Sequence, residues 1–99
     1  MPTFAMLSTL GPDGSARLRE NPERLREVRG EVEAMGVKVL QQYAVLGQWD
    51  FLNIIEAPDE ATMAKVATTL ASRGTLKTMT LPIIEIDRFI AALSDDGAG

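Results

Sequence analysis

The segments of this chain that read as strands are apolar on both sides, and that limits what they can build. A sheet with one wet face alternates apolar and polar residues. Thr3 to Leu10 instead carries Phe4 and Met6 on one side and Ala5 and Leu7 on the other. Trp49 to Glu56 carries Trp49, Phe51 and Ile55 on one side, with Leu52 and Ile54 opposite. A sheet made of such strands needs cover on both faces.

The connections decide which elements give that cover. Gly11-Pro12-Asp13-Gly14 ends the first strand with a turn, and Ser15 to Glu20 suits a helical turn. Asn21-Pro22 predicts a helix start, with the Asn side chain accepting from first-turn amides and Pro at the first helical position. Leu25, Val28, Val32 and Met35 form its apolar stripe, and Gly36 suits its left-handed cap. A second strand, Val37 to Leu46, turns at Gly47-Gln48 into the third. Pro58 breaks the third strand and Asp59 caps a second helix, whose stripe is Met63, Val66, Ala67 and Leu70 and whose stop is Gly74. Thr75 to Leu81 is the fourth strand, interrupted by Pro82. A terminal helix follows, with Ile86, Phe89, Ile90 and Leu93 expected inward.

The order is β-α-β-β-α-β. Right-handed crossovers turn it into an α+β, ferredoxin-like fold, a four-stranded antiparallel sheet with two helices on one face. A length of 99 residues suits one domain, read as 1–93, with 94–99 a flexible C-terminal tail. The other sheet face would be a large apolar patch in water, which a soluble monomer rarely tolerates. Covering several hundred Å² is worth about 10 kcal/mol before association costs. The expectation is that this face meets a second copy in a homodimer or higher homo-oligomer, most simply with twofold symmetry.

With the turn at Gly47-Gln48, Leu46 pairs with Trp49, Ala44 with Phe51 and Gln42 with Asn53. The Gln42/Asn53 side is assigned to the open face. Trp49, Asn53, Gln42, Phe4, Met6 and Phe51 are then the candidate ligand-binding residues, two amides in an apolar space. Each has a plainer reading. Trp is enriched at interface rims, and buried amides bond to each other or to water. Asp50 is read as accepting from loop amides, so Gly47 and Asp50 are structural. A one-residue slip in register would reverse every side.

Composition removes most catalytic options. The chain has no Cys and no His, hence no thiolate site and neither of the commonest general base nor metal ligand. No metal, cofactor or catalytic residue is assigned. A net charge of −4 gives no general attraction to nucleic acid or anionic membrane. No apolar run approaches the roughly 20 residues of a membrane span, and no basic-then-apolar leader is visible, so a cytoplasmic location is expected. Arg17, Arg19, Arg24, Arg26 and Arg29 lie among Glu20, Glu23, Glu27, Glu31 and Glu33. Four-residue pairs such as Glu20/Arg24 and Arg29/Glu33 read as a solvated helix face. Tyr43 is the only phenol, and its ordinary role is packing with the hydroxyl at an edge.

Several short pieces, in order and spacing, resemble the GYD family. They are Pro2-Thr3-Phe4, Asp13-Gly14, Asn21-Pro22-Glu23-Arg24-Leu25, Gly47-Gln48-Trp49-Asp50 and Glu56-Ala57-Pro58-Asp59, a likeness running from Pro2 to Phe89. Trp49 stands where the family usually has Tyr, which keeps a large ring with a donor but no ionisable phenol. The resemblance implies a dimeric α/β barrel, two ferredoxin-like sheets packed face to face. It implies no established activity, since fold relatives include monooxygenases, haem proteins and sensing domains. The leading expectation is a dimeric barrel protein holding a small apolar or aromatic molecule at the paired sheets. The alternatives are a cofactor-independent monooxygenase-like enzyme on an aromatic substrate, with Trp49, Asn53 and Gln42 positioning it, and a purely structural oligomer.

Overall fold

The computed structural model describes residues 1–11, 13–72 and 76–98. Its elements are β1 (Thr3–Leu10), α1 (Gly14–Glu20), α2 (Arg24–Glu33), β2 (Lys38–Ala44), β3 (Phe51–Glu56), α3 (Glu60–Ser72), β4 (Leu76–Ile83) and α4 (Ile86–Ala98). The four strands form one antiparallel sheet in the order β2-β3-β1-β4. This is the ferredoxin-like arrangement, with β1 and β3 at the centre and β2 and β4 at the edges.

The core lies between the sheet and one layer of helices. Phe4 and Met6 of β1, Val39 of β2 and Ile55 of β3 meet Val32 of α2 and Met63, Val66 and Leu70 of α3. The α3 stripe is therefore the one its spacing predicts. Asp59 caps that helix, its Oδ1 accepting from the Thr62 amide at 2.7 Å. Hydrogen bonds to Thr62 hold the Asp59 carboxyl below the usual carboxylate range. The start of α2 differs from expectation. Asn21 makes no side-chain cap; its backbone carbonyl accepts from Arg24 at 3.1 Å, and the Pro22 carbonyl accepts from Leu25 at 3.2 Å. A tight turn of three-residue spacing replaces the side-chain acceptor. Gly36 takes the left-handed conformation, φ +98°, as a helix-ending glycine should. The expected stop at Gly74 and turn residue Pro12 lie outside the described residues.

Two of the three expected strand pairs come out as read, and the side they face does not. Gln42 opposes Asn53, and Ala44 opposes Phe51. Phe4 opposes Ile55 and Met6 opposes Asn53. All of these are on the helix-covered side, so Gln42, Asn53, Phe4, Met6 and Phe51 are not on the open face. The open face carries Ala5, Leu7, Leu52 and Ile54 at its centre, with Tyr43, Met79, Leu81 and Ile83 on the edge strands. No helix among the described residues covers it, and Tyr43, Met79, Leu81 and Ile83 are exposed. The bare apolar surface exists, built from the other set of side chains.

Four further corrections concern the β2–β3 loop, β4 and the C-terminal helix. β2 and β3 stop at Ala44 and Phe51, so a six-residue loop, not a two-residue turn, joins them; Leu46 and Trp49 are not a strand pair. Pro82 does not interrupt β4, which runs to Ile83 with Pro82 opposite Phe4. An edge strand leaves one side of its backbone unpaired, so a residue without N–H is tolerated there. Residues 94–98, expected as a tail, belong to α4. Ile86, Phe89, Ile90 and Leu93 face outward, 47–66% exposed. The radius of gyration is 15.7 Å, above the roughly 13 Å of a compact chain this long, so some element stands off the body. α4, with its whole apolar stripe uncovered, is that element.

Among the described residues, one hydroxyl, Thr80 Oγ1 on the helix-covered side of β4, is buried without a hydrogen-bond partner. An unsatisfied buried hydroxyl is costly, and Val has the same shape and suits a strand. Thr80→Val is expected to stabilise the protein by about 1 kcal/mol, a rise in Tm of roughly 4–8 °C. A lower melting temperature would mean that the hydroxyl has a partner in solution.

Candidate ligand site

The two halves of the helical layer pack differently. α3 buries Met63, Val66 and Leu70. α1 buries nothing, and α2 buries only Val32. The helices over β2 and β3 therefore stand away from the sheet and leave a cavity of about 390 Å³, within the range of small-molecule sites. Gly14 sets how closely α1 approaches β1, since a Cβ there would lie 2.9 Å from Leu10 Cβ.

The floor is the helix-covered side of the sheet. Met6 and Ser8 of β1, Gln42 and Ala44 of β2, and Phe51, Asn53 and Ile55 of β3 contribute. The roof is Arg17 and Leu18 of α1 with Arg24, Leu25, Val28 and Arg29 of α2. Four of the six residues read as ligand-binding, Gln42, Asn53, Met6 and Phe51, thus come together around one space. Phe4 is 4% exposed in the packed core, and it does not line this cavity. Trp49 is half-buried in the loop between β2 and β3, and it too lies outside the lining.

From charge spacing the arginines of α1 and α2 read as a solvated helix face, and the structure places three of them at the cavity. The signal for this was present in helical projection, where Arg24 and Arg29 fall on either side of the stripe Leu25, Val28 and Val32. Their ion pairs hid it. Arg24 bonds to Glu27 at 3.0 Å and Glu31 at 3.1 Å, not to Glu20. Those bonds raise the Arg24 pKa, keeping the guanidinium charged. Arg29 approaches Glu33 at 3.7 Å and donates from Nη2 to the Val39 carbonyl at 2.9 Å, tying α2 to β2.

The 45–50 loop is held by its last residue. The Asp50 carboxylate accepts from the Leu10 amide at 2.8 Å, the Asp50 amide donates to the Ser8 carbonyl at 2.9 Å, and its carbonyl accepts from Val45 at 2.9 Å. One residue joins the end of β1 to both sides of the hairpin. Gly47 permits the loop by adopting φ +112°, a region closed to most side chains. Asp50→Asn keeps an acceptor but loses the charge-assisted bond. The expected loss is about 1 kcal/mol, or roughly 4–8 °C in Tm. Thermal unfolding at fixed concentration measures it, and unchanged melting would mean the clamp is idle.

Among the described residues, no three His, Cys, Asp or Glu side chains converge as a metal site. No helix among them is long and apolar enough to cross a membrane.

Comparison with known proteins agrees with the fold and adds a relative. A protein from Thermus thermophilus called glutamine synthetase and cystathionine beta-lyase binding protein is 54% identical over 94 residues, spanning 94% of this chain and 99% of that protein. The crystal structure of FFRP-DM1 superposes with a TM-score of 0.57 at 21% identity, over 85% of this chain and 100% of the other. That of TTHA0845 from Thermus thermophilus gives 0.54 at 20% identity, over 86% and 95%. These two likenesses concern the fold alone. The GYD domain model matches residues 4–93, and the chain belongs to the GYD domain family.

Proposed function

We propose that this chain is a homodimeric binding protein whose client is an enzyme of the glutamine synthetase or cystathionine beta-lyase kind. The observation that carries the reading is the end-to-end likeness, at 54% identity, to a protein named for binding those two enzymes. Two uncovered apolar surfaces support it physically. The open face of the sheet suits a second copy, since a twofold axis pairs like with like. The α4 stripe of Ile86, Phe89, Ile90 and Leu93 suits a groove on the client, as amphipathic helices dock through residues at helical spacing.

The test is size-exclusion of the protein mixed with glutamine synthetase from its own host at micromolar concentration. Co-elution is expected, and Phe89→Glu should abolish it without changing the protein's own oligomeric state. Separate elution of the two wild-type proteins, repeated with cystathionine beta-lyase, would end the client reading. Loss of self-association in Phe89→Glu would reassign α4 to the contact between copies.

The cavity favours a second role beside the first, that of holding a small molecule. Its lining is mostly apolar with two cross-strand amides, Gln42 and Asn53, the usual make-up of such sites. Among the described residues its lining has no carboxylate, and we read it as a holder.

A further inference from the structure

We propose that the cavity under α1 and α2 takes a small organic carboxylate, acid group toward the helices and apolar body toward the sheet. This rests on the small-molecule reading above and goes further by fixing the charge and orientation of the occupant. The chain as a whole is acidic, at −4. Yet the cavity is lined by Arg17, Arg24 and Arg29 and, among the described residues, by no Asp or Glu.

The three arginines are not equivalent. Arg24 is shared between Glu27 and Glu31, and Arg29 is engaged by Glu33 and the Val39 carbonyl. Arg17 has no carboxylate partner among the described residues. Its planar fork matches a carboxylate with two parallel hydrogen bonds. On the sheet side, the side-chain amides of Gln42 and Asn53 make no protein hydrogen bond among the described residues and line the same space. Each offers a donor and an acceptor to a polar substituent. The same lining includes Met6, Val28, Phe51 and Ile55, which would strip water from an apolar or aromatic body.

The probe pair is 1-naphthaleneacetate and its neutral amide, 1-naphthaleneacetamide. They share a ring system and differ in charge. Titration of the full chain, followed by amide NMR shifts, is expected to move Gln42, Asn53 and Phe51. The acid should bind at least about tenfold tighter than the amide, about 1.4 kcal/mol. Arg17→Gln should erase that preference and leave amide binding unchanged. Arg26→Gln, which removes a charge from outside the lining, should keep the preference.

Equal binding of acid and amide to the wild-type protein would overturn the carboxylate inference and leave the holder reading standing. No shift at those residues with either probe, up to millimolar concentration in folded protein, would overturn both. A preference that survives Arg17→Gln would overturn the orientation toward α1.

Discussion

Ile54→Lys is expected to leave a folded monomer in place of the proposed wild-type dimer. Ile54 sits on β3, a central strand, directly opposite Ala5 of β1 and Gln41 of β2 on the open face. Four strands about 4.8 Å apart and about 20 Å long cover roughly 400 Å². At about 25 cal/mol per Å², burying that area contributes about 10 kcal/mol per copy before association costs. A lysine at its centre would be buried without a partner, at a cost of several kcal/mol. Twofold symmetry places the change twice in one interface. Two costs of about 3 kcal/mol weaken pairing by roughly 10⁴-fold, since each 1.4 kcal/mol is a factor of ten. In the separated chain the lysine points into water, so the fold is retained. Light scattering at micromolar concentration should give twice the 10.7 kDa chain mass for wild type and the single mass for the variant. A wild-type monomer would remove the interface altogether. A variant that remains dimeric would place it elsewhere, with the α4 stripe the first alternative.

How much of this could be read from the sequence follows from which side chains carry a directional signal. The pairs Gln42/Asn53 and Ala44/Phe51 were legible because two strands and a short connection leave little freedom in register. The side they face was not. Phe4 and Met6 compete with Ala5 and Leu7, and Phe51 and Ile55 with Leu52 and Ile54, so both faces satisfy the same pattern. The loop between β2 and β3 was misread because its geometry is set by Asp50, whose backbone bonds reach Ser8 on β1 as well as Val45. A contact with a strand forty residues earlier leaves no trace in local turn chemistry. The α4 stripe was legible as a stripe. Its expected inward direction assumed a partner within the same chain, and periodicity does not say which surface a helix covers. Arg24 and Arg29 of the cavity were visible but paired, and charge spacing along a helix reads the same on a solvated face and at the edge of a site.

Phe4→Ala separates core from cavity wall, two roles that the pattern of β1 and β3 had merged. Phe4 is buried against the α3 layer, within the same cluster as Ile55, Met63 and Val66. Phe51, on the same side of the sheet, is only half-buried and faces the cavity. Truncating a buried Phe removes its transfer free energy and leaves a void that close-packed neighbours fill poorly, about 3–5 kcal/mol in all. That is a large share of the roughly 5–15 kcal/mol that holds a domain together, and about 15–30 °C in Tm. Phe51→Ala should cost about 1–2 kcal/mol, because its ring already borders open space and the transfer loss is partial. Both variants must be compared at one protein concentration, since the proposed pairing of copies would make melting concentration-dependent. Equal losses would show that the cavity beneath α1 and α2 is filled in solution and that Phe51 belongs to the core. The reverse order, with Phe51 the costlier residue, would return Phe4 to an exposed role and with it the opposite assignment of the two sheet faces.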